Sequence, residues 1–116
     1  MTKDHFVFLG HILESIELIE RYTKNLTKEK FNKYRKTRDA VVHNLEIIGE
    51  AAKNIPLSYQ EKHPEIQWKE MIRTRDKLSH GYFGIDTDIV WDVIQKDLPL
   101  LKQKIKNALS EQKSPL

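Results

Sequence analysis

Arg75, His80 and Tyr82 fall within the eight residues Arg75-Asp76-Lys77-Leu78-Ser79-His80-Gly81-Tyr82. Arginine offers a permanent, planar, multi-donor cation matched to a phosphate, and histidine is the one side chain whose ordinary pKa lets it both take and give a proton near neutral pH. Together they ask for a phosphodiester. On an ideal helix, residues five apart differ by about 140° of rotation, so Arg75 and His80 converge only if the helix ends or bends beside His80. Gly81 and Gly84 offer such a stop, and a two-fold axis bringing two such pairs around one groove is the other route. Spacing alone is met more simply by a solvated cation at Arg75 and a helix-end histidine beside the C-terminal dipole.

Composition sets the limits on that chemistry. A chain of 116 residues makes one domain, large enough to bury roughly 65% of its unfolded surface and to fold without staples. Cysteine is absent, which excludes disulfides and thiolate metal sites and asks for no oxidising compartment. The N-terminus lacks a basic region followed by an apolar run, and no stretch approaches the roughly 18 apolar residues of a membrane span. A cytoplasmic protein with no membrane partner is expected. Net charge is only +3, but the basic residues cluster. Lys28, Lys30, Lys33, Arg35, Lys36 and Arg38 are opposed by Glu29 and Asp39 alone, and Lys102, Lys104 and Lys106 form a second group. Each cluster suits an anionic partner or, as simply, a solvated helical face.

The elements that must position the motif are helical. From about Asp4 to Lys24, Phe8, Ile12, Ile16 and Ile19 recur at helical spacing, joined by Leu9, Leu13 and Tyr22. His5 and His11 are wrongly spaced to share a metal and read as boundary residues. Thr27 caps a short basic turn carrying Phe31 and Tyr34, and a long helix then runs to about Asn54 on the stripe Val41, Leu45, Ile48, Ala52 and Ile55. Gly49 and Ala51 are small enough to admit a neighbouring helix. A parallel stripe, Asp39, His43, Glu46, Glu50 and Lys53, is wholly polar. It is a solvated face or a polar wall toward the Arg75/His80 site or a symmetry mate; a metal on His43 with Glu46 or Asp39 is a weak signal.

Pro56 closes that helix, and residues 58–63 form one more turn before Pro64. Ile66, Trp68, Met71, Ile72 and Leu78 mark a helix from about Gln67 to Ser79 that carries Arg75 near its end, with Trp68 as a core anchor rather than a base-stacking platform. Asp86 or Thr87 caps a last helix, which Pro99 should kink, and the tail from about Ser110 frays. No strand pattern or repeat competes. The expected fold is all-α, a bundle of four main helices with one or two short ones, as a single domain over residues 1–110 with a frayed tail at 111–116.

Three segments carry a resemblance to a known family: His43 to Ala52 (HNLEIIGEAA), His63-Pro64-Glu65-Ile66, and Met71 to Asp86 (MIRTRDKLSHGYFGID). They resemble the HepT-like branch of the HEPN domains (higher eukaryotes and prokaryotes nucleotide-binding), and the likeness covers nearly the whole chain. The hallmark is Arg, a polar residue, three more residues and His, followed in this branch by any residue and Tyr. Arg75, Asp76, His80 and Tyr82 meet each position. Position 43 is commonly Arg in the family and is His43 here, so no role is carried over to it.

The resemblance implies a ribonuclease toxin acting as a homodimer, with motifs from two protomers lining one groove. It further implies an MntA-like nucleotidyltransferase antitoxin that transfers AMP to the motif tyrosine, Tyr82. The attached chemistry is metal-independent cleavage of RNA with no cofactor: the 2′-hydroxyl attacks phosphorus, His80 is general acid or base, Arg75 offsets phosphoryl charge, and Asp76 supports a cation in the groove. The alternative is a non-catalytic module that binds a nucleotide or a nucleotidyltransferase partner, which needs the same arginine but has little use for a titrating histidine. A structural dimerisation bundle is the third reading.

Overall fold

The computed structural model describes residues 4–79 and 86–112. His80 and Tyr82, and with them part of the expected motif, lie outside the described residues. What is described is all-α, with no strand among the described residues. Helix α1 (Asp4–Thr23) is followed by a short α2 (Lys28–Lys33), a long α3 (Arg35–Lys53), a short α4 (Leu57–Lys62) and α5 (Trp68–Ser79). The last long element joins α6 (Thr87–Asp92) through a π-helical turn (Val93–Asp97) to α7 (Leu98–Gln112), which continues past the expected boundary at residue 110. Four long elements and two short ones form the expected bundle. Among the described residues no helix is long and apolar enough to cross a membrane.

Helix α3 is the centre of the packing, with α1 on one side and α5 on another, while α7 closes over α1. Its stripe Val41, Leu45, Ile48, Ala52 and Ile55 is buried throughout, as the alternating spacing of three and four requires of a core-facing helix. Asn44 is also buried, and its Nδ2 donates to the Ala40 carbonyl at 2.9 Å, so no polar group is stranded there. On α1 the fully buried set is Leu9, Ile12, Ile16 and Ile19; Phe8 and Leu13 lie partly buried at its edge and Tyr22 is exposed. The core face is therefore centred on Leu9 rather than Phe8, one helical step of about 100° away.

Local chemistry sets the ends of these helices. Thr23 Oγ1 donates to the Ile19 carbonyl at 2.8 Å, and Asn25 takes the left-handed conformation (φ 64°) that turns the chain out of α1. Thr27 caps α2 by accepting from the Lys30 amide at 3.2 Å. Gln60 on α4 reaches back to the carbonyls of Ile55 (3.0 Å) and Ala52 (3.3 Å), tying α4 to the end of α3. Asp86, rather than Thr87, caps α6, its Oδ1 accepting from the amides of Asp88 and Ile89.

The π turn is the answer to Pro99. A proline inside a helix cannot donate to the carbonyl four residues back, and its ring collides with it. Here the Leu98 amide instead reaches the Val93 carbonyl, five residues back. The widened turn relieves that collision and the helix continues without a break.

A cluster around His63 and an ion pair between α7 and α1 tie the helices of the bundle together. The Tyr59 ring stacks on His63 with centroids 4.3 Å apart and meets His5 of α1 at 4.5 Å, while His63 faces Glu65 at 3.1 Å and Glu111 of α7 at 3.5 Å. Trp68 is buried and its Nε1 donates to the His63 carbonyl at 3.0 Å, so it is a core anchor. Lys102 binds Glu20 at 2.8 Å, joining α7 to α1. That carboxylate raises the Lys102 pKa, and the ion pair takes Lys102 out of the basic cluster read as a site for an external anion.

Candidate functional site

Helix α5 delivers Arg75 to the C-terminal part of α3. At Gly49 the two helices touch so closely that a Cβ there would collide with Arg75 Cβ and lie 2.8 Å from the Met71 carbonyl oxygen and 2.9 Å from Arg75 Cγ. Glycine is what permits this approach. The next residue of α3, Glu50, then stands beside the guanidinium. Arg75 Nη2 lies 3.0 Å from Glu50 Oε1, and Arg75 Nη1 lies 3.1 Å from Asp76 Oδ1. The Arg75 side chain is 29% exposed, so it is seated against the bundle with its head still open to solvent.

Two carboxylates on one guanidinium orient it without exhausting it. Arginine carries five N–H donors in a planar fork, and these pairs engage one nitrogen each, leaving donors for an incoming phosphate. Glu50 and Asp76 are both more than half exposed, so solvent weakens their hold on the guanidinium and an incoming phosphate can compete with them for it. The arrangement suits binding one phosphate group in a fixed orientation.

The polar stripe of α3 divides. Glu50 turns toward Arg75, which realises the polar-wall reading at that residue. His43, Asp39 and Lys53 are exposed, and Asp39 meets Arg35 at 3.9 Å on the same helix. No three His, Cys, Asp or Glu side chains gather at metal-binding distance among the described residues. Spacing on α3 shows that Glu50 shares a polar face, but only the crossing of α5 at Gly49 decides which carboxylate meets Arg75. The small residue at position 49 was the available signal.

A groove of about 420 Å³ runs along the neighbouring side of α5, between Leu45 and Ile48 of α3, Met71 and Thr74 of α5, and Leu98 and Leu101 of α7. Its rim carries Leu100, which is 64% exposed.

The sequence over residues 12–108 matches the family described as "Ribonuclease HepT-like". The chain belongs to the HepT-like ribonuclease family. This HepT-like chain is 48% identical over 106 residues to a "Probable ribonuclease HepT" of Thermococcus cleftensis, covering 91% of this chain and 96% of that one. It is also 48% identical over 111 residues to a Methanocaldococcus jannaschii protein whose name joins a gamma-glutamylcyclotransferase to an RNase. There the HepT-like chain, matched over 96% of its own length, spans half of the longer protein. A Caldanaerobacter subterraneus relative that also bears an RNase name is 42% identical over 106 residues, covering 91% of this chain and 95% of its own. No solved structure matches the HepT-like chain.

Proposed function

We propose that this chain is the toxin of a toxin-antitoxin pair, an endoribonuclease that cuts RNA without a metal ion. The observation that carries the reading is the seating of Arg75, an arginine pressed against Gly49 and held by Glu50 and Asp76 with its head open to solvent. It begins the sequence Arg75-Asp76-x-x-x-His80-x-Tyr82.

In the proposed reaction Arg75 binds the scissile phosphate. His80 takes the proton of the ribose 2′-hydroxyl, whose oxygen bonds to phosphorus as the bond to the 5′-oxygen breaks, leaving a cyclic phosphate and a 5′-hydroxyl. A protonated histidine supplies the leaving oxygen with its proton. Arg75 offsets the charge that builds on the phosphoryl oxygens. A homodimer brings two copies of His80 to one groove, so one serves as base and the other as acid. The groove beside α5, whose lining mixes apolar side chains with Glu70, Asp97 and Lys104, and the exposed Leu100 on its rim support a second protomer on that face.

Tyr82 is the proposed point of control. An MntA-like nucleotidyltransferase antitoxin would transfer AMP to its hydroxyl, placing a bulky anion beside the cations that must hold substrate. The test is a labelled RNA and the matching DNA strand incubated with purified protein in excess EDTA: cutting of RNA alone supports the reading, and cutting of both strands or of neither contradicts it.

A further inference from the structure

We infer that Arg38, together with Arg35 and the Thr87 hydroxyl, forms a second subsite for a backbone phosphate of the RNA, separate from Arg75. The identity of the strand rests on the ribonuclease reading above; the subsite itself rests on geometry. Where α6 packs beside α2 and the start of α3 there is a cavity of about 240 Å³ lined by Phe31, Val42 and Val90 and by Arg35, Arg38, Asp39 and Thr87. The first three are apolar and give it a hydrophobic floor. The polar side chains stand at its mouth, with Arg35 and Asp39 exposed.

Arg38 Nε is buried and has no hydrogen-bond partner among the described residues. A buried cationic donor left unpaired costs stability, and such a group in a native fold calls for a partner. Arg35 is uncommitted as well. Its Nε stands 3.9 Å from Asp39 Oδ2 and its side chain is 84% exposed, well beyond the roughly 2.7–2.9 Å of a charge-assisted hydrogen bond. Asp39 takes away one charge, and the two arginines still leave the cavity positive. Of the two acids at the start of α6, Asp88 is matched by Lys28 at 3.4 Å and Asp86 is engaged as the helix cap, accepting from the amides of Asp88 and Ile89.

Size and lining narrow the ligand. The cavity is smaller than the roughly 300–1,000 Å³ that drug-sized ligands fill, and it suits a phosphate with part of its sugar. Phe31 is fully buried, so no aromatic face is offered to a base. That leaves a sequence-independent contact to the backbone, of the kind that positions a strand without reading it. The subsite is also near enough to serve the motif. Arg38 and Glu50 lie about 18 Å apart along the axis of α3 and about 120° apart around it. A strand that curves around α3 can reach both arginine sites.

Binding of a 2′-O-methyl RNA strand tests this without requiring cleavage, since the proposed nucleophile is missing. Affinity is measured across a salt series for the full chain, Arg38→Gln and Arg35→Gln, and repeated with the matching DNA strand. Arg38→Gln should weaken binding about tenfold and lower the slope of log affinity against log salt by about 0.7, the loss of one phosphate contact. The DNA strand should show the same loss. Arg35→Gln, altering a side chain too exposed to disturb folding, should shift both quantities in the same direction by less, and decides the matter if Arg38→Gln fails to fold. Unchanged affinity and slope in both variants, or a loss confined to RNA, would overturn the subsite. Cleavage without any effect of Arg38→Gln or Arg35→Gln on binding removes the subsite alone, whereas binding that depends on them without cleavage removes the ribonuclease reading alone.

Discussion

Arg75 Cβ sits where a side chain on Gly49 would have to go, so the approach of α5 to α3 and the placement of the arginine are one structural fact. Gly49→Ala should push the helices apart. Alanine improves helix propensity by up to about 1 kcal/mol, but the collision includes backbone at Met71 and overpacking costs about 1–3 kcal/mol. Denaturant titration should show a net loss of stability, and RNA cleavage should fall further than the folded fraction accounts for. A variant as stable and active as the parent would mean that α5 moves without consequence for Arg75.

Much of this was legible in the sequence because helical burial repeats every three or four residues. The stripe from Val41 to Ile55, the Thr27 cap and the buried role of Trp68 follow from side-chain type and spacing alone. Pairings between distant helices do not. Nothing near Lys102 announces Glu20, and nothing on α3 says that Glu50, rather than Glu46, meets Arg75. Pro99 announces a missing donor, but whether the chain bends or widens into a π turn depends on what packs around it. The Arg75 part of the motif was visible as chemistry; its seating needed the crossing at Gly49.

Glu50→Ala separates orientation from stability. The pair with Arg75 is half exposed, so its loss should change stability by under about 1 kcal/mol. Cleavage should drop about tenfold, equivalent to about 1.4 kcal/mol of transition-state stabilisation. A rise in rate would show instead that Glu50 competes with phosphate for the guanidinium.

Tyr59 gives a pH signature. Burial, then the charges of Glu111 and Glu65, raise its pKa above 10.0. The folded state thus holds the phenol proton more tightly than the unfolded chain does. Its contribution is complete below pH 10.0 and is lost as pH rises through the higher folded value. Tyr59→Phe should flatten this alkaline decline in thermal melts. At neutral pH the substitution should be neutral or slightly stabilising, because Tyr59 Oη is buried without a partner among the described residues.

Tyr82→Phe should keep cutting RNA while gaining no AMP when mixed with an MntA-like nucleotidyltransferase and ATP, as read by intact mass. Loss of cleavage in this variant would place Tyr82 in the reaction itself rather than in its control.

The most direct measurement is the cleavage rate of end-labelled RNA in excess EDTA by wild type, Arg75→Ala and His80→Ala, once intact mass has shown Tyr82 to be free of AMP. Wild type should cut, and each substitution should slow it by about a hundredfold or more, the scale of losing a general acid-base group or a phosphate clamp. Undiminished cutting by His80→Ala would contradict the proposed reaction, as would an unmodified wild type that cuts nothing and leaves a nucleotide-binding module in its place.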